Sequence, residues 1–343
     1  MSPAPGTPPD LSDLPAAARA LHRRALVMDC HADTLTEMHD QGYDLDAAPE
    51  GQHLDFGLCA DGNLDAQVFT CFVHPRELPD GAAARVRALL GTMRRQLQLF
   101  PGRLALCTGP GDIAAARAAG KLAAVLAIEG GHAIEDDLDT LAEFARAGVR
   151  SMTLTWNNSN HWADGCGEPV RHGGLTAFGR QVVRAMEELG MVVDVSHVAP
   201  PTFDAALEEA RAPVIASHSC ALALRKHPRN LSDDQLRAVA ATGGVACVNV
   251  YPPFLIDPAT RSGDATLEDV LDHFDHFLAV AGEDHVGLGC DFDGIPTGPE
   301  GLEHVGVLPR LTAGLLRRGH SEIAVEKLLG ANLVRVFDAP RCP

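Results

Sequence analysis

The chain has 343 residues, 46% of them hydrophobic and 22% charged, long enough for one large α/β barrel or two smaller domains. Its formal net charge of -18 repels phosphate backbones and anionic lipid, which argues against nucleic-acid and membrane-surface partners. The nine cysteines are scattered without C-x-x-C pairs, no apolar stretch approaches the roughly 20 residues of a membrane span, and the Pro-rich start Met1 to Asp13 lacks a secretory pattern, so the composition reads as soluble and cytoplasmic, in a reducing compartment.

In chain order, a short helical pattern from Leu14 to Arg24 precedes a first apolar strand that begins at Ala25 and runs into His31-Ala32-Asp33. Residues 34–64, rich in Gly, Asp and Pro, read as irregular. Asp65 to Phe72 is the next strand, and Ala82 to Phe100 carries Val86, Leu89, Leu90, Met93 and Leu97 at helical spacing. After a short run Leu104 to Cys107 and a helix Gly111 to Ala119, Leu122 to Ile128 is a fully apolar strand that ends in Glu129-Gly-Gly-His132. Regular alternation follows: helix Asp137–Ala147, strand Val149–Thr155, helix Thr176–Leu189, strand Met191–Val195, helix Thr202–Arg211, strand Pro213–Ala216. Then come helix Ser232–Ala241 with Ser232 as N-cap, strand Val245–Val250, helix Leu267–Ala281 and strand Val286–Gly289. A final helical region, Val305 to Val336, is punctuated by Gly319 and Gly330. Eight strands, mostly unbroken Val/Ile/Leu/Ala runs as in sheets buried on both faces, predict a (β/α)8 TIM barrel; a doubly wound sheet is the runner-up.

The polar residues gather at the strand ends. His31 and Asp33 follow the first strand, Glu129 the third, His197 the fifth, His218 the sixth and Asp291 the eighth. Each alone reads as an ordinary structural residue, but in a barrel all of these ends open on one face, where imidazole and carboxylate ligands converge. Three histidines with two carboxylates exceed the needs of a single catalytic zinc and fit two metals roughly 3.5–4 Å apart, with Glu129 as bridge and a metal-bridging hydroxide as nucleophile. Asp291 is placed to take the water's proton and pass it to a leaving group. The chemistry implied is hydrolysis.

From residue 25 onward the chain resembles the membrane (renal) dipeptidase family, peptidase family M19, in the amidohydrolase superfamily. The resemblance is carried by His31-x-Asp33, Glu129-Gly-Gly-His132, Arg150 to Thr155 with Trp162-Ala163-Asp164, Asp194-Val-Ser-His197, Pro213 to Ser219, Arg229-Asn230, Val286-Gly-Leu-Gly-x-Asp-Phe-Asp-Gly294 and the tail from Glu300 to Phe337. It implies residues 1–24 as a segment packing on a single dipeptidase barrel of residues 25–343, a homodimer, and a metallodipeptidase with two zinc ions. One ion would be held by His31, Asp33 and Glu129, the other by Glu129, His197 and His218. Arg229 would clamp the substrate carboxylate, Asp291 would bind its α-amine and move the proton, and the substrates would be small L-Xaa-L/D-Xaa dipeptides. Asp293 is expected to serve the loop's structure.

One position departs from the pattern. Directly after Thr153-Leu-Thr155, where the family's dipeptidases carry a histidine expected to stabilise the tetrahedral intermediate, this chain has Trp156, with one N–H donor and no cationic form. His161, five residues on, is a second candidate for that place. Two alternatives stay open: a binuclear amidohydrolase for another small amide or lactone, and a non-catalytic metal-binding protein of a biosynthetic complex.

Overall fold

The computed structural model describes residues 10–77, 81–257, 259 and 263–339. Among the described residues there are nine strands: β1 (Met28–Ala32), β2 (Ala66–Phe72), β3 (Leu104–Leu106), β4 (Leu122–Glu129), β5 (Val149–Thr153), β6 (Val192–Asp194), β7 (Ile215–Ser219), β8 (Val245–Val248) and β9 (Val286–Leu288). The helices are α1 (Ala16–Arg24), α2 (Thr34–Gln41), α3 (Phe56–Asp61), α4 (Ala82–Leu99), α5 (Asp112–Ala118), α6 (Leu138–Arg146) and α7 (Ala177–Glu188). They continue as α8 (Pro200–Glu209), α9 (Asp233–Ala241), α10 (Pro252–Leu255), α11 (Leu267–Ala281), α12 (Leu308–Arg317), α13 (Glu322–Glu326) and α14 (Asn332–Phe337), the last two joined by a π turn at Lys327–Ala331.

Every pairing between these strands is parallel, and β1-β2-β4-β5-β6-β7-β8-β9 closes on itself through the β2–β4 and β1–β9 contacts. This is the expected (β/α)8 barrel. The run at Leu104 is a ninth strand outside the ring. It takes the first half of one β4 edge (Leu104 beside Leu122) and leaves the second half to β5 (Ile128 beside Met152).

Strand β4 shows how the sequence sorts itself. Successive side chains leave a strand on opposite faces; Ala123, Val125 and Ala127 join an inner cluster, while Leu126 and Ile128 join the layer under the helices. The inner cluster reaches Leu333 and Val336 of α14, so the last helix plugs the end of the barrel away from the strand C-termini. Full burial of each Leu, Val or Phe is worth roughly 1.5–3 kcal/mol, and dozens here are buried.

The stretch 34–64 is not irregular. It holds α2, opened by Asp33 at the N-cap position, packed through Leu35 and Met38 and stopped by Gly42 at φ 76°, and α3, capped by Asp55 Oδ1 accepting from Leu58 N at 2.6 Å. Both helices are under three turns, too short for an apolar period to stand out from the surrounding Asp and Gly. Helix α9 starts with a full capping box between Ser232 and Gln235.

Helix α1 packs on α12, and buried His22 joins three elements: Nδ1 lies 2.7 Å from Thr312 Oγ1 and Nε2 lies 2.8 Å from Gly62 O. Residues 1–9 of the expected N-terminal segment and 340–343 of the tail lie outside the described residues. No described helix is long and apolar enough to cross a membrane.

Two outcomes follow from this packing. A Cβ on Gly244 would lie 1.9 Å from the carbonyl oxygen of Val214, a backbone atom that cannot rotate away, so Gly244→Ala should cost about 3 kcal/mol in urea unfolding. Burial holds His22 below its ordinary value of 6.5, so the unfolded chain binds that proton more tightly. The stability His22 contributes is therefore present above pH 6.5 and is lost as pH falls below it, and the gap in unfolding free energy between wild type and His22→Gln should narrow from pH 8 to pH 5.

Candidate metal centre

Because the strands run in one direction, their C-terminal ends share a face. His31 and His218 are each the fourth residue of their strands, β1 and β7, Glu129 is the last of β4, and Asp33 follows β1. His197 and Asp291 stand three residues beyond β6 and β9, both in the left-handed region at φ 71° and φ 64°. That conformation costs a non-glycine residue roughly 1–2 kcal/mol and persists only where the surroundings enforce it. The His197 carbonyl accepts from Cys166 N at 2.8 Å and Thr155 Oγ1 at 3.2 Å; Asp291 donates its N–H to His31 O at 3.1 Å and accepts from Gly294 N at 3.1 Å.

Two buried carboxylates below this layer fix the strand ends. Asp194 Oδ1 accepts from Ser196 N (2.9 Å) and Ser217 N (3.1 Å), and Ser196 Oγ in turn accepts from His218 N at 3.1 Å. Asp29 accepts from Cys290 N (2.8 Å) and Gln67 Nε2 (3.2 Å), tying β1 to β9 and β2. Neither Asp29 nor Asp194 stood out in the sequence as a positioning residue, since an isolated Asp in an apolar strand gives no periodic signal.

At the centre, the two oxygens of Glu129 face different neighbours. Oε2 is 3.4 Å from His31 Nε2, while Oε1 is 2.7 Å from His197 Nε2 and 3.6 Å from His218 Nε2. His31 Nε2 is also 3.8 Å from Asp33 Oδ2 and 3.9 Å from Asp291 Oδ1. Three triplets bring a ligand atom from each residue within 4.8 Å of the others: His31, Asp33 and Glu129; Glu129, His197 and His218; and His31, His218 and Asp291.

These atoms fit cations between them. His197 Nδ1 sits 2.9 Å from Asn157 Oδ1, an acceptor, so the ring proton belongs on Nδ1 and Nε2 carries a lone pair. Burial, with Arg229 adding to it, pushes His197 down to about 3 and keeps it neutral. That lone pair points at a carboxylate oxygen 2.7 Å away, an acceptor against an acceptor. Burial also pushes Asp33 up to about 6 and Asp291 up to about 7, while the carboxylates of Glu129 and Asp33 hold His31 well above its ordinary value. His31 Nε2 and Asp33 Oδ1 are buried with no hydrogen-bond partner. A Cβ on Gly294 would meet Asp33 Oδ2 at 2.2 Å and Asp291 Oδ1 at 2.6 Å, so the chain stays bare there to let the carboxylates approach. Imidazole and carboxylate donors suit zinc, and also manganese, cobalt or iron.

A cavity of about 490 Å³ opens above this cluster, lined among others by Asp33, Glu129, Trp156, His197, Arg229 and Asp291. Arg229 is 4% exposed; one terminal nitrogen donates to His218 O at 2.9 Å, while Nε and Nη1 have no partner. Asp291 Oδ2 accepts from Asn249 Nδ2 at 3.0 Å. Trp156 joins Phe72 (5.4 Å between ring centroids) and His74 (5.8 Å) in an aromatic wall, 6.2 Å from the His197 ring. His74 and Asn157 line the cavity without having been singled out in the sequence.

His161 is not brought to this cavity. Its side chain is 89% exposed and bound to Asp136 at 2.5 Å, because Asn160 Oδ1 takes the N–H groups of Trp162 and Ala163 and turns buried Trp162 inward in its place. Asp293 ties loops together, accepting from Thr34 Oγ1 and His53 N, each at 2.6 Å.

Residues 15–340 match the family described as membrane dipeptidase (peptidase family M19). The chain belongs to that family. An uncharacterized dipeptidase of Schizosaccharomyces pombe is 37% identical over 83% of this chain and 71% of its own length. A metallopeptidase from Rhodobacter sphaeroides, solved with a phosphinate mimic of the dipeptide L-Ala-D-Ala, is 28% identical with a TM-score of 0.84, covering 92% of this chain and 99% of that one. A probable dipeptidase from Pseudomonas aeruginosa shares the fold at a TM-score of 0.85 and 24% identity, over 94% and 97% of the two chains. The protein is thus an M19 metallodipeptidase, and the cluster around Glu129 is its candidate metal centre.

Binding to the folded state alone raises stability by RT ln(1 + [L]/Kd), about 2.7 kcal/mol at 100 times Kd. Added divalent zinc should therefore raise the melting temperature of metal-stripped wild type. In Gly294→Ala, whose methyl group displaces Asp33 and Asp291, calorimetry should show that rise reduced or lost.

Proposed function

We propose that the protein hydrolyses the peptide bond of free dipeptides, L-Xaa-L/D-Xaa, with two zinc ions. His31, Asp33 and Glu129 would hold one, and Glu129, His197 and His218 the other. The observation that carries the reading is the division of Glu129, whose two oxygens face two separate ligand sets across 3.4 Å and 2.7 Å. When bound, such cations polarise a carbonyl and acidify water, which yields a nucleophile near neutral pH.

The remaining steps fall to the chain's own side chains. Arg229, already desolvated and with Nε and Nη1 unpartnered, receives the substrate carboxylate, an interaction stronger inside a protein than in water. Asp291, oriented by Asn249, holds the free α-amine and accepts the proton of the attacking water. The proton then passes to the departing amine as the C–N bond breaks and the new C–O bond remains in the product acid. Recognition of free groups at both ends restricts the substrate to two residues. Trp156 contributes an apolar wall beside the scissile bond. The free, buried cysteines Cys30, Cys247 and Cys290 support a cytoplasmic location, and family resemblance supports a homodimer.

Truncating one partner of a buried charge pair costs about 2–5 kcal/mol. Arg229→Met should accordingly lower kcat/KM for Ala-Ala by roughly 30-fold or more. Wild type should discriminate strongly between Ala-Ala and its C-terminal amide, and the variant should treat both alike. Undiminished hydrolysis of Ala-Ala by the variant would falsify the carboxylate clamp. Loss of one zinc equivalent per chain in His197→Ala, read by elemental analysis, is the matching expectation for the metal ligands.

A further inference from the structure

Behind Arg229 and His197 lies a second chamber of about 220 Å³, between the segment after β6 and the loop after β7, with Cys166 and Glu168 on its outer side. Its wall is mostly apolar, built from Val170, Val195, Val198, Phe203, Leu222 and Leu231. Arg229 and His197 line both this chamber and the main cavity, so a group held at the guanidinium borders the two spaces at once. Buried polar atoms without a partner belong to three of its lining residues: Ser219 Oγ, Asn230 Oδ1, and Nε and Nη1 of Arg229. The one carboxylate in the lining, Glu168, is engaged by Arg171 at 2.6 Å and by Ser159 N at 3.1 Å, and supplies no free counter-charge.

We propose that this chamber is the side-chain subsite for the residue on the carboxyl side of the scissile bond, and that it selects dipeptides ending in an uncharged aliphatic or aromatic residue. The inference rests on the dipeptidase reading with Arg229 at the substrate carboxylate. A carboxylate carbon lies about 1.5 Å from its Cα, so a side chain on that Cα starts beside the guanidinium that borders the chamber. Volume permits it: an apolar cavity of about 150 Å³ holds a benzene ring, and 220 Å³ accommodates Leu, Met or Phe. Charge does not suit it, because an ionised side chain would meet a mostly apolar wall with Glu168 engaged and Arg229 already committed. Ser219 Oγ offers a further donor to the carboxylate on the same side.

Steady-state hydrolysis of an Ala-Xaa series, with Xaa as Gly, Ala, Leu, Phe, Asp and Lys in L and D forms, tests the subsite on the metal-loaded protein. The expected result is a rise in kcat/KM of about tenfold or more from Gly to Leu in at least one stereochemical series, with Asp and Lys below Leu by at least that factor. In Leu222→Trp and in Val170→Trp, each of which fills the chamber from a different wall away from the metal ligands, the Leu-to-Gly ratio should fall toward one. A flat profile in wild type, or a ratio preserved in both variants, overturns the subsite while leaving dipeptide hydrolysis intact. Absence of turnover on every member of the series overturns the dipeptidase reading, and the subsite with it.

Discussion

The contact between Glu129 Oε1 and His197 Nε2 governs this molecule. Two acceptors 2.7 Å apart, with His218 Nε2 2.8 Å from the same imidazole, repel unless positive charge stands among them. Asn157 closes the alternative, since its oxygen fixes the His197 proton on the far nitrogen. The fold therefore builds a cluster of ligand atoms suited to a cation, and the barrel must be rigid enough to hold those atoms together without one.

That rigidity comes from below. Asp194 and Asp29 each spend a buried carboxylate on backbone N–H groups of neighbouring strand ends, an arrangement that helps define where the strands stop. Above them, His197 and Asp291 turn into the left-handed region, and the strain is balanced by bonds from Cys166, Thr155, His31 and Gly294. These elements are worth more to position than to stability. A barrel with glycine at 197 and 291 would relieve backbone strain but would present no ligand.

Much of this was legible in the chain itself. Most of the eight ring strands announce themselves as apolar runs, and the ligands follow from what stands at the end of each run, because a parallel barrel sends every strand end to one face. The short elements were not legible. Helices α2 and α3 lie inside Asp- and Gly-rich sequence, and strand β3 gains its identity only from pairing with Leu122 to Ala124. The same limit applies within the site. His31 and Glu129 could be read from strand ends, but the exposed position of His161 depends on how Asn160 folds its own loop, a tertiary outcome with no local period. Positive φ at His197 and Asp291 is likewise set by neighbours distant in sequence.

The aromatic wall sharpens what the departure at residue 156 means. In the ring of eight, β2 and β7 lie opposite each other, so Phe72 and His74 on the β2 side face Arg229 on the β7 side across the mouth. Farther along the same cavity lie Asp40 and Arg85, which neutralise each other through contacts of 2.6 and 2.8 Å. An indole in this wall presents a broad apolar face and a single N–H, whereas an imidazole could carry a full positive charge. Trp156 therefore lends its part of the cavity shape and an apolar surface and no ionisable group. What the indole cannot supply at this position is a cation, so any positive charge in the cavity has to come from elsewhere in its lining, with Arg229 the most deeply buried of its fixed cations.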